Sequence, residues 1–317
     1  MALYLAEEDV AAVLTMDIAL EEVEKGFVHL AEGKAFNFPR NRLPNGDGAF
    51  NFMAATAPEL GVMGMKTYDF VANSSRFYVQ LYDASTAELV ALIEVNGMGQ
   101  VRTGAASGIA TKYMARTDAS TVGMIGSGYQ ASTQLEAVSR VRDITSARIY
   151  SRNRENRERF ASVMERRLGI EVRPVTSGRE CVEGVDIVNV ITTAPTPVLL
   201  GEWLGAGAHV NAAGNNHWMK QEVDSEVVRR ASVIVADDVE EAKIECGDLV
   251  EPIDRGVLTW DHVRNLSDVV TGQVAGRRSD DDITLFESQG VAIEDIAVGI
   301  RVYRMAQERG LGRVMPF

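Results

Sequence analysis

The segment that most constrains this chain is Val122-Gly123-Met124-Ile125-Gly126-Ser127-Gly128-Tyr129-Gln130-Ala131. It places G-x-G-x-x-A directly after a short apolar run and directly before a helical pattern. Gly126 permits a tight turn, and Gly128 lets the backbone approach a pyrophosphate. Ala131 lets the helix pack closely on the strand. The free N–H groups and positive dipole end of that helix then face the phosphates. A Gly-rich turn can serve only as a bend. Here both flanks fit, and a second strand follows roughly twenty residues on, as in a mononucleotide-binding unit.

Around this turn, strand and helix signals alternate. Strands are predicted over 121–125, 147–151, 185–191, 208–213 and 232–236, with helices over 130–140 and 155–168. Apolar strands alternating with helices imply a parallel sheet with right-handed crossovers. The fold class is therefore α/β, with a Rossmann-type dinucleotide-binding domain. Gly126, Ser127, Gly128, Tyr129, Gln130 and Ala131 are its candidate cofactor residues. The tip of the second strand discriminates between cofactors. An Asp or Glu there binds a ribose 2′-hydroxyl. This chain has Ser151, Arg152, Asn153 and Arg154 instead. Arginine can clamp a 2′-phosphate with paired charge-assisted bonds, so NADPH (NADP+) is expected in preference to NADH. Arg152 and Arg154 also suit the start of a charged helix. Thr192 and Thr193 follow a later strand, and Asn211 lies in another. Strand tips of this kind meet ligand in open α/β sheets.

Residues 1–116 read differently. A helix is predicted over 16–32, then strands over 49–54, 63–70, 77–82 and 89–95. A hairpin turn at 83–87 suggests a mainly antiparallel sheet. A helix rich in small residues is expected from Thr103 to about Ala115, and a last helix over 291–309. The sequence alone leaves open which domain that last helix joins. At 317 residues the chain is long enough for about two domains. The net charge of −13 disfavours nucleic acid and anionic membranes as partners. No apolar run reaches the length of a membrane span, and the start lacks the pattern of a secretory leader. Cys181 and Cys246 show no metal or redox spacing, and the four histidines show no ligand pattern. A reduced, cytoplasmic protein without a metal is expected.

Several segments together resemble the ornithine cyclodeaminase/mu-crystallin family. They are Gln100-Val101-Arg102-Thr103-Gly104-Ala105-Ala106-Ser107, the turn at 125–131, Gly207-Ala208-His209-Val210-Asn211-Ala212-Ala213-Gly214 and Gly290-Val291-Ala292-Ile293-Glu294-Asp295. The resemblance implies a homodimer. Residues 1–116 and about 291–317 would form an α+β substrate-binding and dimerisation domain, and 117–290 the dinucleotide-binding domain. It implies that Arg40, Lys66 and Arg102 hold a substrate carboxylate, with Thr103 beside the cofactor. Where cyclodeaminases of the family carry an acid, this chain has Asn216. An amide cannot act as a base. Mu-crystallin-like ketimine reductases also lack that acid and use NADPH. The expected activity is therefore NADPH-dependent reduction of a carboxylate-bearing imine or ketimine to an amino acid. The rivals are ornithine cyclodeamination, alanine dehydrogenation and a mu-crystallin-like binding protein without catalysis.

Overall fold

The computed structural model describes residues 1–46, 48–71 and 74–316. By compactness the chain divides into two units, Met1–Arg102 with Val291–Phe317, and Thr103–Gly290. The division falls inside a continuous helix, Asn96–Met114, rather than after Arg116. No helix among the described residues is long and apolar enough to cross a membrane.

The first unit contains strands β1 (Ala2–Leu5), β2 (Phe36–Asn45), β3 (Gly48–Ala57), β4 (Val62–Val71), β5 (Ser74–Asp83) and β6 (Leu89–Glu94). The C-terminal strand Arg313–Met315 pairs with β1, and the order continues β6-β5-β4-β3-β2. Every pairing is antiparallel except β1 with β6. Helix Ala292–Glu308 packs on β2 to β5, and helix Met16–Ala31 packs on that helix. The latter starts where Thr15 accepts the N–H of Ile18 at 3.3 Å, an N-cap that its side chain suits. A Cβ on Gly64 would lie 2.5 Å from Ile296 Cδ1 and 2.6 Å from the Gln80 carbonyl. Glycine at this point of β4 lets the terminal helix close on the sheet.

Among the features of this unit that escaped the sequence patterns, two bear on the site. Strand β2 was not expected, because Pro39 cannot donate to a ladder. The register with β3 shifts between Phe38 and Asn41. Pro39 and Arg40 together face the single residue Met53 in a bulge, which accommodates the proline and turns Arg40 inward. The helix containing Arg102 starts seven residues before Thr103, at Asn96. Gly97 and Gly99 weaken the helical signal there. The Glu7 carboxylate compensates by accepting the N–H groups of Asn96 and Gly97 at 2.5 and 2.9 Å. Arg102 thus sits in the helix's second turn, not at its start.

The second unit carries β7 (Thr121–Ile125), β8 (Ser146–Tyr150), β9 (Glu171–Pro174), β10 (Ile187–Val190), β11 (His209–Ala212), β12 (Val233–Ala236), β13 (Val263–Asn265) and β14 (Thr284–Glu287). Their order is β13-β12-β14-β11-β10-β7-β8-β9, all parallel. The chain winds one way from β7 to β9 and the other way from β10 onward. The tips of β7 and β10 therefore form the topological switch point at which open sheets bind ligand. Strands β10, β11, β12 and β14 are buried along their whole length, as a sheet covered on both faces requires. β14 (Thr-Leu-Phe-Glu) was not expected, because four residues of mixed polarity give no period.

Gly64→Val tests the helix-on-sheet contact. Overpacking costs roughly 1–3 kcal/mol, so the urea midpoint falls while the slope of the transition stays constant.

Candidate functional site

In the first unit, three cations and two carboxylates are buried together. Lys66 is 3% exposed, Arg40 5% and Arg102 7%, while Glu294 and Asp295 are at 1% and 0%. Strand alternation turns Lys66 inward with Val62, Gly64 and Tyr68. Its Nζ donates to Asp295 Oδ1 at 2.8 Å. Arg102 donates through Nη1 to Glu294 Oε2 at 2.6 Å and through Nε to Asp295 Oδ1 at 3.2 Å. Arg40 reaches across the bulge to the Met53 sulfur, with Nη2 at 3.8 Å. The two acids occupy the first turn of the terminal helix, where the helix dipole favours negative charge. The Asn37 side chain accepts the N–H of Ile293 at 3.2 Å in the same turn. A Cβ on Gly99 would lie 3.5 Å from Lys66 Nζ. The sequence thus brings Arg40, Lys66 and Arg102 into one cluster. Glu294 and Asp295 were missed as site residues because acids opening a helix read simply as dipole partners.

Burial is the main influence on Lys66 and lowers its pKa, Arg102 and Arg40 lower it further, and Asp295 raises it; the result is about 8. Its ammonium therefore lies near the point of proton exchange at physiological pH.

In the second unit, Gly126 has φ +119°, and a Cβ there would lie 2.2 Å from the Ile191 carbonyl. Only glycine fits that close turn. At Gly128 the opposite holds, because a Cβ would meet nothing within 4 Å. The glycine leaves open space at the mouth of helix Ala131–Val141, whose first turn has no side-chain cap. These are the features a pyrophosphate needs. Ala131 is fully buried, Gln130 is half-buried, and Tyr129 is exposed. Ser127 Oγ donates to Ser151 Oγ at 2.8 Å, joining the tips of β7 and β8. Beyond β8, Arg152 is exposed, Asn153 caps the next helix by accepting the Asn156 N–H, and Arg154 pairs with Glu158 at 2.7 Å. Part of the polar character of this tip therefore serves the helix.

The other expected cofactor residues are distributed less simply. Thr103 gives its carbonyl to Gln134 at 3.2 Å. Thr193 is exposed and Asn216 half-buried, while Asn215 donates to the Ala194 carbonyl at 2.8 Å. Asn211 lies in the sheet interior. Its amide donates to Asn189 at 2.8 Å and to Thr111 at 2.9 Å, and its oxygen contacts His209 Nε2 at 3.1 Å. Both ends of the amide are thus engaged inside the protein. Burial is the largest influence on His209 and lowers its pKa to about 3, so it stays neutral there. Thr192 directs both its N–H and its hydroxyl at Glu222 Oε1, each at 2.6 Å. Glu222 escaped the sequence reading, because a single acid in a polar stretch carries no periodic signal.

A two-unit architecture with this switch point defines the fold as a Rossmann-type dinucleotide-binding domain joined to an α+β domain. The chain belongs to the ornithine cyclodeaminase/mu-crystallin family, whose model matches residues 2–310. It is 35% identical to a Delta(1)-pyrroline-2-carboxylate reductase of Bacillus cereus over 84% of each chain. It is 34% identical to an alanine dehydrogenase of Archaeoglobus fulgidus over 99% of this chain and 98% of that one. The solved Delta(1)-pyrroline-2-carboxylate reductase of Thermococcus litoralis, in complex with NADH and L-proline, superposes with a TM-score of 0.95. It shares 36% identity, with 99% of this chain and 100% of that one covered. These relatives are reductases of an imine acid and a dehydrogenase of an amino acid.

Gly128→Val should leave far-ultraviolet circular dichroism unchanged, because the space is empty. It should also abolish binding of NADPH and NADH in a fluorescence titration. Retained tight binding would make the turn purely structural.

Proposed function

We propose that this protein is a cytoplasmic, homodimeric reductase that converts a small carboxylate-bearing imine, cyclic or N-substituted, to the amino acid with NADPH. The observation that carries the reading is the convergence of Arg40, Lys66 and Arg102 in one buried cluster. Buried charge persists only when it is paired. Lys66 and Arg102 hold Glu294 and Asp295, and three cations meeting at one place suit a small anion such as a substrate carboxylate. Arginine's fork suits that group. The names of the relatives fit the same substrate chemistry, an imine or amine carbon bonded to a carboxylate.

The 126–131 turn would hold the pyrophosphate of a nicotinamide dinucleotide, and Ser151 and Arg152 would border its adenosine ribose. The bound nicotinamide would supply the hydride that reduces the C=N carbon. The chain's own residues would do the rest. Arg40 and Arg102 would orient the carboxylate, and that positioning supplies much of the rate. Lys66 would hold a proton at the imine nitrogen, since the protonated iminium is the better acceptor. Asn216 would leave the site without the acid that cyclodeamination uses. The exposed Phe36, Phe38 and Leu43 of β2, beside the exposed Phe50 of β3, offer an apolar surface suited to a second copy of the chain.

Three measurements test this. Arg40→Met should fold normally yet lose roughly ten- to a hundredfold or more in kcat/KM for the imine acid, the loss expected for a charge-assisted contact. The decarboxylated imine should be a poor substrate for the wild type and should be little affected by the change. Equal wild-type rates on both imines would remove the carboxylate clamp. Because Lys66 must carry a proton for reduction, kcat should fall as pH rises through about 8. A flat profile up to pH 10 would assign the proton elsewhere. Finally, kcat/KM should favour NADPH over NADH, and Arg152→Ala should narrow the difference. Higher efficiency with NADH would reverse the cofactor assignment. Screening pyruvate with ammonia, and ornithine without added cofactor, in the same assay separates the alanine dehydrogenase and cyclodeaminase alternatives.

A further inference from the structure

We propose that Glu222 is a positioning residue that latches together the loop tips after β10 and β11 and so fixes the nicotinamide half of the cofactor site. The proposal rests on the dinucleotide reading of the second unit, but not on any particular substrate. Glu222 is fully buried, and each carboxylate oxygen holds a different loop. Oε1 accepts the Thr192 N–H and hydroxyl, two residues beyond β10. Oε2 accepts the Gly214 N–H at 2.6 Å, two residues beyond β11. Both loops lie at the carboxyl ends of strands on the side of the switch point away from the β8 tip. In an open α/β sheet the adenosine half lies over the first strands, so these two tips border the other half.

The latch is itself held rigidly. Asp248 accepts the N–H groups of Glu222 and Val223 at 2.7 and 3.0 Å. The Glu222 carbonyl accepts those of Val198 and Leu199 at 2.8 and 3.0 Å. A Cβ at position 214 would lie 2.3 Å from the Thr192 nitrogen and 2.4 Å from Glu222 Oε2. Gly214 is therefore required for the two loops to meet on one carboxylate. A carboxylate can accept all three bonds, whereas a protonated acid or an amide turns one acceptor into a donor facing an N–H.

Burial is the main reason the Glu222 pKa rises to about 7, and Asp248 raises it further. Asp248 itself is raised to about 7 by burial. Glu287, raised by burial, Asp248, Glu222 and Asp237, is the other acid coupled to this group. The latch is therefore complete above neutral pH and weakened below it.

The test compares affinity for whichever of NADPH and NADH binds tighter with affinity for its adenine fragment, 2′,5′-ADP or ADP, from pH 6 to pH 8. Isothermal titration calorimetry reads both without turnover. The ratio of the two affinities isolates the nicotinamide half and cancels titration of any 2′-phosphate. In the wild type the ratio should fall progressively from pH 8 to pH 6. Glu222→Gln should lower it roughly tenfold or more at pH 8, the loss expected for hydrogen bonds to a charged group. The variant should leave fragment affinity within about twofold and remove the pH dependence. A ratio unchanged by Glu222→Gln, or equal losses for whole cofactor and fragment, overturns the latch. If the variant does not fold, a pH-independent wild-type ratio alone overturns it. A wild type that binds neither cofactor nor fragment refutes the dinucleotide site instead.

Discussion

Cations buried behind a β-sheet cannot remain there without anions, and this requirement organises the first unit. Lys66 and its partner Asp295 are 229 residues apart in sequence. The chain therefore has to return after completing the second unit and place the opening turn of its terminal helix on β4. Glu294 and Asp295 supply two negative charges in that turn, and Gly64 lets the helix approach. Removing Asp295 would take from Lys66 the anion it pairs with and from Arg102 one of two, and stranding a buried charge costs far more than the pair contributes.

The second unit solves a related problem with the opposite charge. Glu222, Asp237, Asp248 and Glu287 are all buried, and all have pKa values raised mainly by burial. Three of the four are used to hold backbone. Asp237 accepts the N–H groups of Gln289 and Gly290 at 2.7 and 2.6 Å. Asp248 holds the chain at 222–223, and Glu222 holds the two strand tips. Loops at the carboxyl ends of the strands of a parallel sheet have no ladder of their own, so side-chain acceptors must satisfy their donors. Here those acceptors also fix the loops that border the proposed cofactor.

Much of this was legible in the sequence wherever a period or a glycine spacing encodes it. Strand β7 stands where its apolar run predicts, and the 126–131 turn has the strand-to-helix setting that its glycines require. Arg40, Lys66 and Arg102 were named through the family resemblance, and they lie in one buried cluster. What stayed hidden depends on contacts distant in sequence. Strand β2 hides its identity behind Pro39, because the bulge that accommodates a proline leaves no trace in hydrophobic alternation. The early start of the Arg102 helix is masked by two glycines of low helix propensity, of which Gly97 lies against the Glu7 carboxylate. Asn211 looks like a ligand-facing amide, yet it completes a buried network with His209, Asn189 and Thr111. Glu222 had no visible role until the loops it joins were placed.

The central claim is that a carboxylate held by the Arg40–Lys66–Arg102 cluster belongs to an imine that is reduced at the carbon bearing it. The most direct measurement follows a label. The protein is incubated with Delta(1)-pyrroline-2-carboxylate and NADPH carrying deuterium on the transferable position of C4, and the product is analysed by mass spectrometry and NMR. The account predicts proline carrying one deuterium at its α-carbon, with one cofactor oxidised for each molecule formed. Cofactor oxidation that leaves the imine untouched, or proline without the label, would contradict it.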